Sequence, residues 1–259
     1  MLIDKKAFYK FRYIWLIASG AILSLPLVVP SLGFLQWIAM IPCAMLLYVI
    51  VDGEKVTKRG AYLLGFAFFM SYYAVTFHWF YYMYPLEVAG VSEGIALIIV
   101  SLGCFGLAFL QSLFSSVGFV AFVLLARTNF VRKRAYFMPL LMASIWVIAE
   151  WWQTIGWWGV PWGRLPLGQV SFTLLVRSAS LFGSYFITFV IVAVNFFLAM
   201  VILKQGFRRV AAVCAVSLFA LNLVLGLGVT LAYEESDEKY TVAAAQGNIS
   251  SAYRLPRRP

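Results

Sequence analysis

The chain has 259 residues, 63% of them hydrophobic and 12% charged, with a mean hydropathy of +0.90. Soluble chains carry about 25% charged and 45–50% apolar residues, so a water-soluble globular protein is excluded and an all-α polytopic membrane protein is expected. The net charge of +10 lies in short basic clusters between apolar runs, the pattern of orientation signals, so no nucleic-acid partner is expected.

Seven transmembrane helices are predicted, at about residues 11–30, 33–51, 60–84, 95–126, 136–155, 171–203 and 210–231, in a helical domain covering 1–231. The N-terminus has the charge order of a signal peptide, but its apolar run is long and a second follows at once, so a retained first helix is expected. Pro26 and Pro42 fall inside the first two helices, which membrane helices tolerate when neighbours satisfy the freed carbonyls. The third helix is rich in aromatic residues toward its end, from Tyr72 to Tyr84, as suits a membrane–water interface. The fourth is long enough to tilt or to carry an interfacial extension.

The positive-inside rule sets the orientation. With the N-terminus in the cytoplasm, Lys5, Lys6, Lys10, Arg12, Lys55, Lys58, Arg59, Arg127, Arg132, Lys133, Arg134, Lys204, Arg208 and Arg209 fall inside, fourteen of the twenty basic residues, and the short outer loops keep only Arg164. The C-terminal tail is then extracytoplasmic.

The least generic stretch runs from Trp146 to Asn195. Five tryptophans fall between Trp151 and Trp162, and each flanking helix carries one ionisable residue, Glu150 and Arg177. A charge in a membrane helix costs about 2.5–3.5 kcal/mol on insertion scales, so such groups face protein, water or each other. Each lies about five residues, or roughly 7–8 Å, from the outer end of its helix. Glu150 is therefore expected to pair with Arg177 or with Arg164. Two readings stand for these charges: a polar post beneath a soluble domain that shapes lipid entry, or a structural ion pair or snorkelling side chains. Trp151, Trp157, Trp158, Pro161 and Trp162 belong to a knot whose glycines and proline favour turns. The knot either dips into the headgroup layer where a lipid tail passes, or forms an ordinary aromatic belt.

His78 lacks a carboxylate or cysteine partner in sequence and is assigned to packing or hydrogen bonding; Asn195 is assigned to an interhelical hydrogen bond. Cys43, Cys104 and Cys214 lie in apolar segments, where a thiol ionises little and is a poor nucleophile. No cofactor is expected, and without CxxC and with one histidine no metal site.

After Leu231 the composition changes. An acidic linker precedes a short alternating stretch, Tyr240 to Ala245, that reads as a first β-strand in residues 232–251, and residues 252–259 form a Pro/Arg tail without pattern.

Four pieces of this sequence together resemble the apolipoprotein N-acyltransferase family of bacterial membrane enzymes. They are Glu150-Trp151 followed by Gly156 and Pro161-Trp162; Ser178 to Tyr185 followed by Phe189 and Asn195; Gly65 with His78-Trp79; and Val242 to Ile249. The resemblance implies a cytoplasmic-membrane protein in which a phospholipid donates an acyl chain, through a cysteine thioester, to the N-terminus of a diacylglyceryl-lipoprotein. It implies further that a Glu–Lys–Cys set performs this chemistry in an extracytoplasmic nitrilase-like domain. That domain's first strand matches residues 242–249, and the set lies beyond it. No catalytic residue is therefore expected within this chain, which reads as a truncated form, inactive alone. Competing readings are a non-catalytic scaffold or lipid-binding subunit, and a polytopic transporter, against which stands the lack of an internal repeat.

Overall fold

Backbone N–H and C=O groups in hydrocarbon must pair within the protein, and helices satisfy this locally. In the computed structural model, which describes residues 5–53, 56–86, 90–156, 159–203, 205–233, 241 and 243, helix is the only regular structure among the described residues. Among the described residues, six helices are long and apolar enough to cross a membrane: Pro30–Asp52, Lys58–Met83, Glu93–Ala126, Ala135–Trp152, Ser184–Leu203 and Arg208–Ala232. A further apolar helix, Arg12–Val28, has 17 residues. The chain is thus an all-α polytopic membrane protein.

In chain order the α-helices are α1 (Lys5–Lys10), α2 (Arg12–Val28), α3 (Ile41–Asp52), α4 (Lys58–Thr76), α5 (Glu93–Ser115), α6 (Val117–Ala126), α7 (Asn129–Lys133), α8 (Met138–Trp152), α9 (Thr173–Val176), α10 (Ala179–Phe182), α11 (Ser184–Leu203) and α12 (Arg208–Ala232). Beyond the 3-10 turns that end the span 60–84 (Phe77–Met83) and begin the span 136–155 (Ala135–Phe137), three of the expected spans depart from a uniform helix.

The span containing α3 begins as a 3-10 helix, Pro30–Trp37, and reorganises over residues 38–40. The groups freed there find a partner on α11: Asn195 Nδ2 donates to the Gln36 carbonyl at 2.8 Å, and Asn195 Oδ1 accepts from the Met40 N–H at 3.0 Å. The expected helix 95–126 is divided at Ser116. The Ser116 hydroxyl bonds the Ser112 carbonyl, and the Ser112 hydroxyl donates to the Ala108 carbonyl at 2.6 Å; such back-bonding bends helices.

The third departure corrects the reading of residues 171–203 as one helix. They form α9, α10 and α11, interrupted at Gly183, where φ is +76° and ψ 164°. That region is essentially closed to residues with a Cβ.

Aromatic packing runs through the core. Phe68 and Phe69 of α4 pack on Phe119 of α6 and Trp146 of α8. α11 lies centrally, with Ile187, Val190, Ile191 and Val194 buried between α3, α8 and α12. α2 reaches α4 closely because Gly20 has no Cβ; one there would collide with the Phe68 carbonyl and the Ser71 hydroxyl.

Candidate functional site

α8 ends at Trp152, and the described residues between it and α9 form no further α-helix. Residues 159–172 hold two short 3-10 turns, Pro161–Gly163 and Leu165–Gln169, packed across the ends of the helices. Non-helical backbone at membrane depth is tolerated only where it is buried in protein or lines a wet cavity. Its polar groups must therefore find partners: Glu150 and Tyr72 reach in from neighbouring helices, and Gln169 reaches out from the segment itself.

Glu150, 3% exposed, is the centre. Its Oε1 accepts from the Leu165 N–H at 3.0 Å and from Trp146 Nε1 at 3.3 Å. Its Oε2 accepts from the Thr188 hydroxyl at 2.7 Å and lies 3.7 Å from Arg164 Nε. One carboxylate thus joins α8, the irregular segment and α11. Arg164, 19% exposed, is fixed from the other side: Nη2 donates to the Ser184 hydroxyl at 2.6 Å, and its guanidinium stacks 4.3 Å from the Tyr185 ring centroid. Both of those residues open α11, where the break at Gly183 puts them.

The segment is held at two more points. Tyr72 of α4 donates to the Gly163 carbonyl at 2.6 Å. The amide of Gln169 donates to the Gly33 carbonyl and to Gln36 Oε1, each at 2.7 Å, and accepts from Trp37 Nε1 at 3.1 Å. Beside this clamp, Gln153 Nε2 donates to the Tyr73 hydroxyl and reaches the Ser115 hydroxyl at 3.3 Å.

Of the residues singled out from sequence, Glu150, Pro161 and Arg164 come together here, and the pairing of Glu150 is with Arg164. Arg177 is exposed in the turn between α9 and α10; the break in its helix takes it out of the register that had placed it level with Glu150. Trp151 and Trp162 are about half exposed, Trp162 meeting Trp79 edge-on at 5.0 Å. Trp157 and Trp158 lie outside the described residues, as do residue 242 and residues 244–259 with nearly all of the expected strand and the tail. His78 bonds the Val75 carbonyl at 3.0 Å and the Tyr82 hydroxyl at 3.3 Å.

Sequence reading missed Tyr72, Gln153, Gln169 and Thr188. The signal available was a lone polar side chain in an apolar run, which must pair with something. Cys43 and Cys104 are buried and Cys214 half-buried, all within spans. Among the described residues no cluster of three His, Cys, Asp or Glu side chains is placed to hold a metal.

Fold and site together define a polytopic membrane domain in which an irregular segment, residues 159–172, is pinned by a buried carboxyl group at the end of α8. Comparison with known proteins assigns it more closely. The N-terminal domain of apolipoprotein N-acyltransferases matches residues 19–198, more than half of the chain. The chain belongs to the apolipoprotein N-acyltransferase family. An apolipoprotein N-acyltransferase of Geobacter metallireducens is 29% identical to it over 254 residues, 95% of this chain and 45% of that protein. The chain thus spans about half the length of the curated relative it matches.

Proposed function

We propose that this chain is the membrane-embedded base of an apolipoprotein N-acyltransferase in the bacterial inner membrane. Its acyl donor is a phospholipid and its acceptor a diacylglyceryl-lipoprotein. α2 and the six longer spans give seven crossings, with the N-terminus cytoplasmic and the chain after α12 extracytoplasmic. The three thiols in the spans have no part in the chemistry; a catalytic unit with the Glu–Lys–Cys set and nitrilase-like fold works above the platform of residues 159–172.

The observation that carries this reading is the clamp on residues 159–172. A buried carboxylate accepting three hydrogen bonds is a costly device unless the segment it holds must keep one shape. Glu150, Arg164 and Pro161 supply structural support, with Trp151 and Trp162 at the lipid boundary and Arg177 toward the surface.

The test is a chimera in which residues 19–198 of this chain replace the matching segment of the Geobacter relative. Mass spectrometry of a diacylglyceryl lipopeptide acceptor with phospholipid donor should show N-acylation, and the purified chain by itself should give none. A chimera that inserts and folds yet transfers nothing, or transfer by the isolated chain, would reject the proposal.

A further inference from the structure

On the face of α8 next to the Glu150 clamp lies a groove of about 600 Å³, walled by α5 and α6 on one side and α8 on the other. Its rim is apolar and exposed: Ile148 and Trp152 on α8, Phe114 and Val117 opposite. It reaches from Gln153 at the outer end of α8 to Leu125 near the end of α6. From Gln111 to Leu125, at about 1.5 Å per residue, the wall is roughly 21 Å long. That exceeds the roughly 15 Å occupied by one leaflet of a hydrocarbon core about 30 Å thick.

The groove exists because small residues line its floor. Gly118 and Ala121 on α6 and Ala149 on α8 leave space where larger side chains would close the two walls. Both walls belong to membrane spans, so what meets the opening is lipid. An apolar channel in contact with lipid fills with a hydrocarbon chain, since empty space forfeits dispersion contacts.

One end is polar in a way that packing does not explain. Gln153 is 6% exposed, and its Nε2 is committed to Tyr73 and Ser115. Its Oε1 is buried with no hydrogen-bond partner among the described residues. A buried amide oxygen left unpaired is costly, and a donor arriving with a ligand removes that cost.

We propose that the groove between α5–α6 and α8 binds one acyl chain of a membrane phospholipid whose headgroup donates a hydrogen bond to Gln153. This rests on the membrane reading of the chain and not on acyl transfer; a failed chimera would leave it standing. Ethanolamine and glycerol headgroups carry N–H or O–H donors, whereas choline carries none.

The experiment uses the full chain in vesicles containing a trace of phosphatidylethanolamine with a photoactivatable diazirine on one acyl chain, and cross-linked peptides are mapped by mass spectrometry. Labelling should concentrate on α6 and α8. Ala121→Leu, which fills the floor, should lower it about tenfold there while leaving labelling of the exposed face of α12 unchanged. The phosphatidylcholine probe should label the groove at least about threefold less than the ethanolamine probe, and Gln153→Leu should erase that difference. Even labelling over all exposed helix faces, or a groove signal untouched by Ala121→Leu, would overturn the site. Equal labelling by the two probes on the unaltered chain would overturn the headgroup contact.

Discussion

At the scale of single residues, Glu150 is a carboxyl group buried inside the protein, and its partners decide what replacing it does. Glu150→Leu removes the acceptor for the Leu165 N–H, the Thr188 hydroxyl and Trp146, and leaves the Arg164 guanidinium largely buried without its counter-charge. Breaking a buried pair from one side costs about 3–5 kcal/mol. The thermal midpoint of the detergent-solubilised protein should therefore fall clearly. Glu150→Gln keeps one carbonyl oxygen for Leu165 and should fall less. In the double variant Glu150→Leu with Arg164→Leu the uncompensated charge is gone, so the loss should be smaller than the sum of the single losses, with a coupling of about 0.5–3 kcal/mol. Additive losses would show that the two charges do not interact. Tyr72→Phe strands only the Gly163 carbonyl and should cost about 1–3 kcal/mol, read in the same thermal measurement.

At the scale of elements, the breaks in the helices matter more than the helices. Gly183 holds a backbone conformation closed to L-residues, and it positions Ser184 and Tyr185 against Arg164. Gly183→Ala should cost about 1–3 kcal/mol and loosen that contact. Gly226 plays the same part by contact: a Cβ there would run into the Leu174 carbonyl, where α12 crosses α9. Asn222 of α12 already donates to the Leu175 carbonyl at 3.1 Å and accepts from Ser178 at 2.6 Å. Gly226→Leu should push α12 off this seat, measurable as faster amide exchange in α12 and in residues 173–178, with α4 unaffected. Exchange unchanged in both would show that α12 is not docked there. The spans themselves were legible in the sequence, because long apolar runs bounded by basic clusters report burial in lipid directly. Their breaks were not. The break over residues 38–40 depends on Asn195, a pairing across the fold that leaves no local pattern, and the division at Ser116 goes with serine back-bonding that any serine in a helix could make. The same limit governed the site: Glu150 stood out as a charge in an apolar run, and both arginines within reach in sequence were eligible partners. Only the turn at Gly183 decides between them.

At the scale of the whole molecule, the charge asymmetry and the packing point the same way along the membrane normal. Arg127, after α6, donates to the Ile50 carbonyl near the end of α3 at 2.7 Å. Tyr136, before α8, meets Phe207, before α12, with ring centroids 6.4 Å apart. The basic connections after α3, α6 and α11 therefore gather at one end of the bundle, and the platform of residues 159–172 lies at the other. Positively charged loops resist translocation, so this end should be cytoplasmic and the platform should face outward. With Cys43, Cys104 and Cys214 replaced by alanine, a single cysteine at Thr154 should react with a membrane-impermeant thiol reagent on intact spheroplasts. A cysteine at Phe130 should react only after permeabilisation, and one at Gln246 should behave as Thr154 does if an odd number of crossings precedes it. The reverse pattern at the first two positions would invert the topology. Labelling of Gln246 from the cytoplasmic side alone would leave the platform outside yet remove the catalytic unit from above it, and with it the role proposed for this chain.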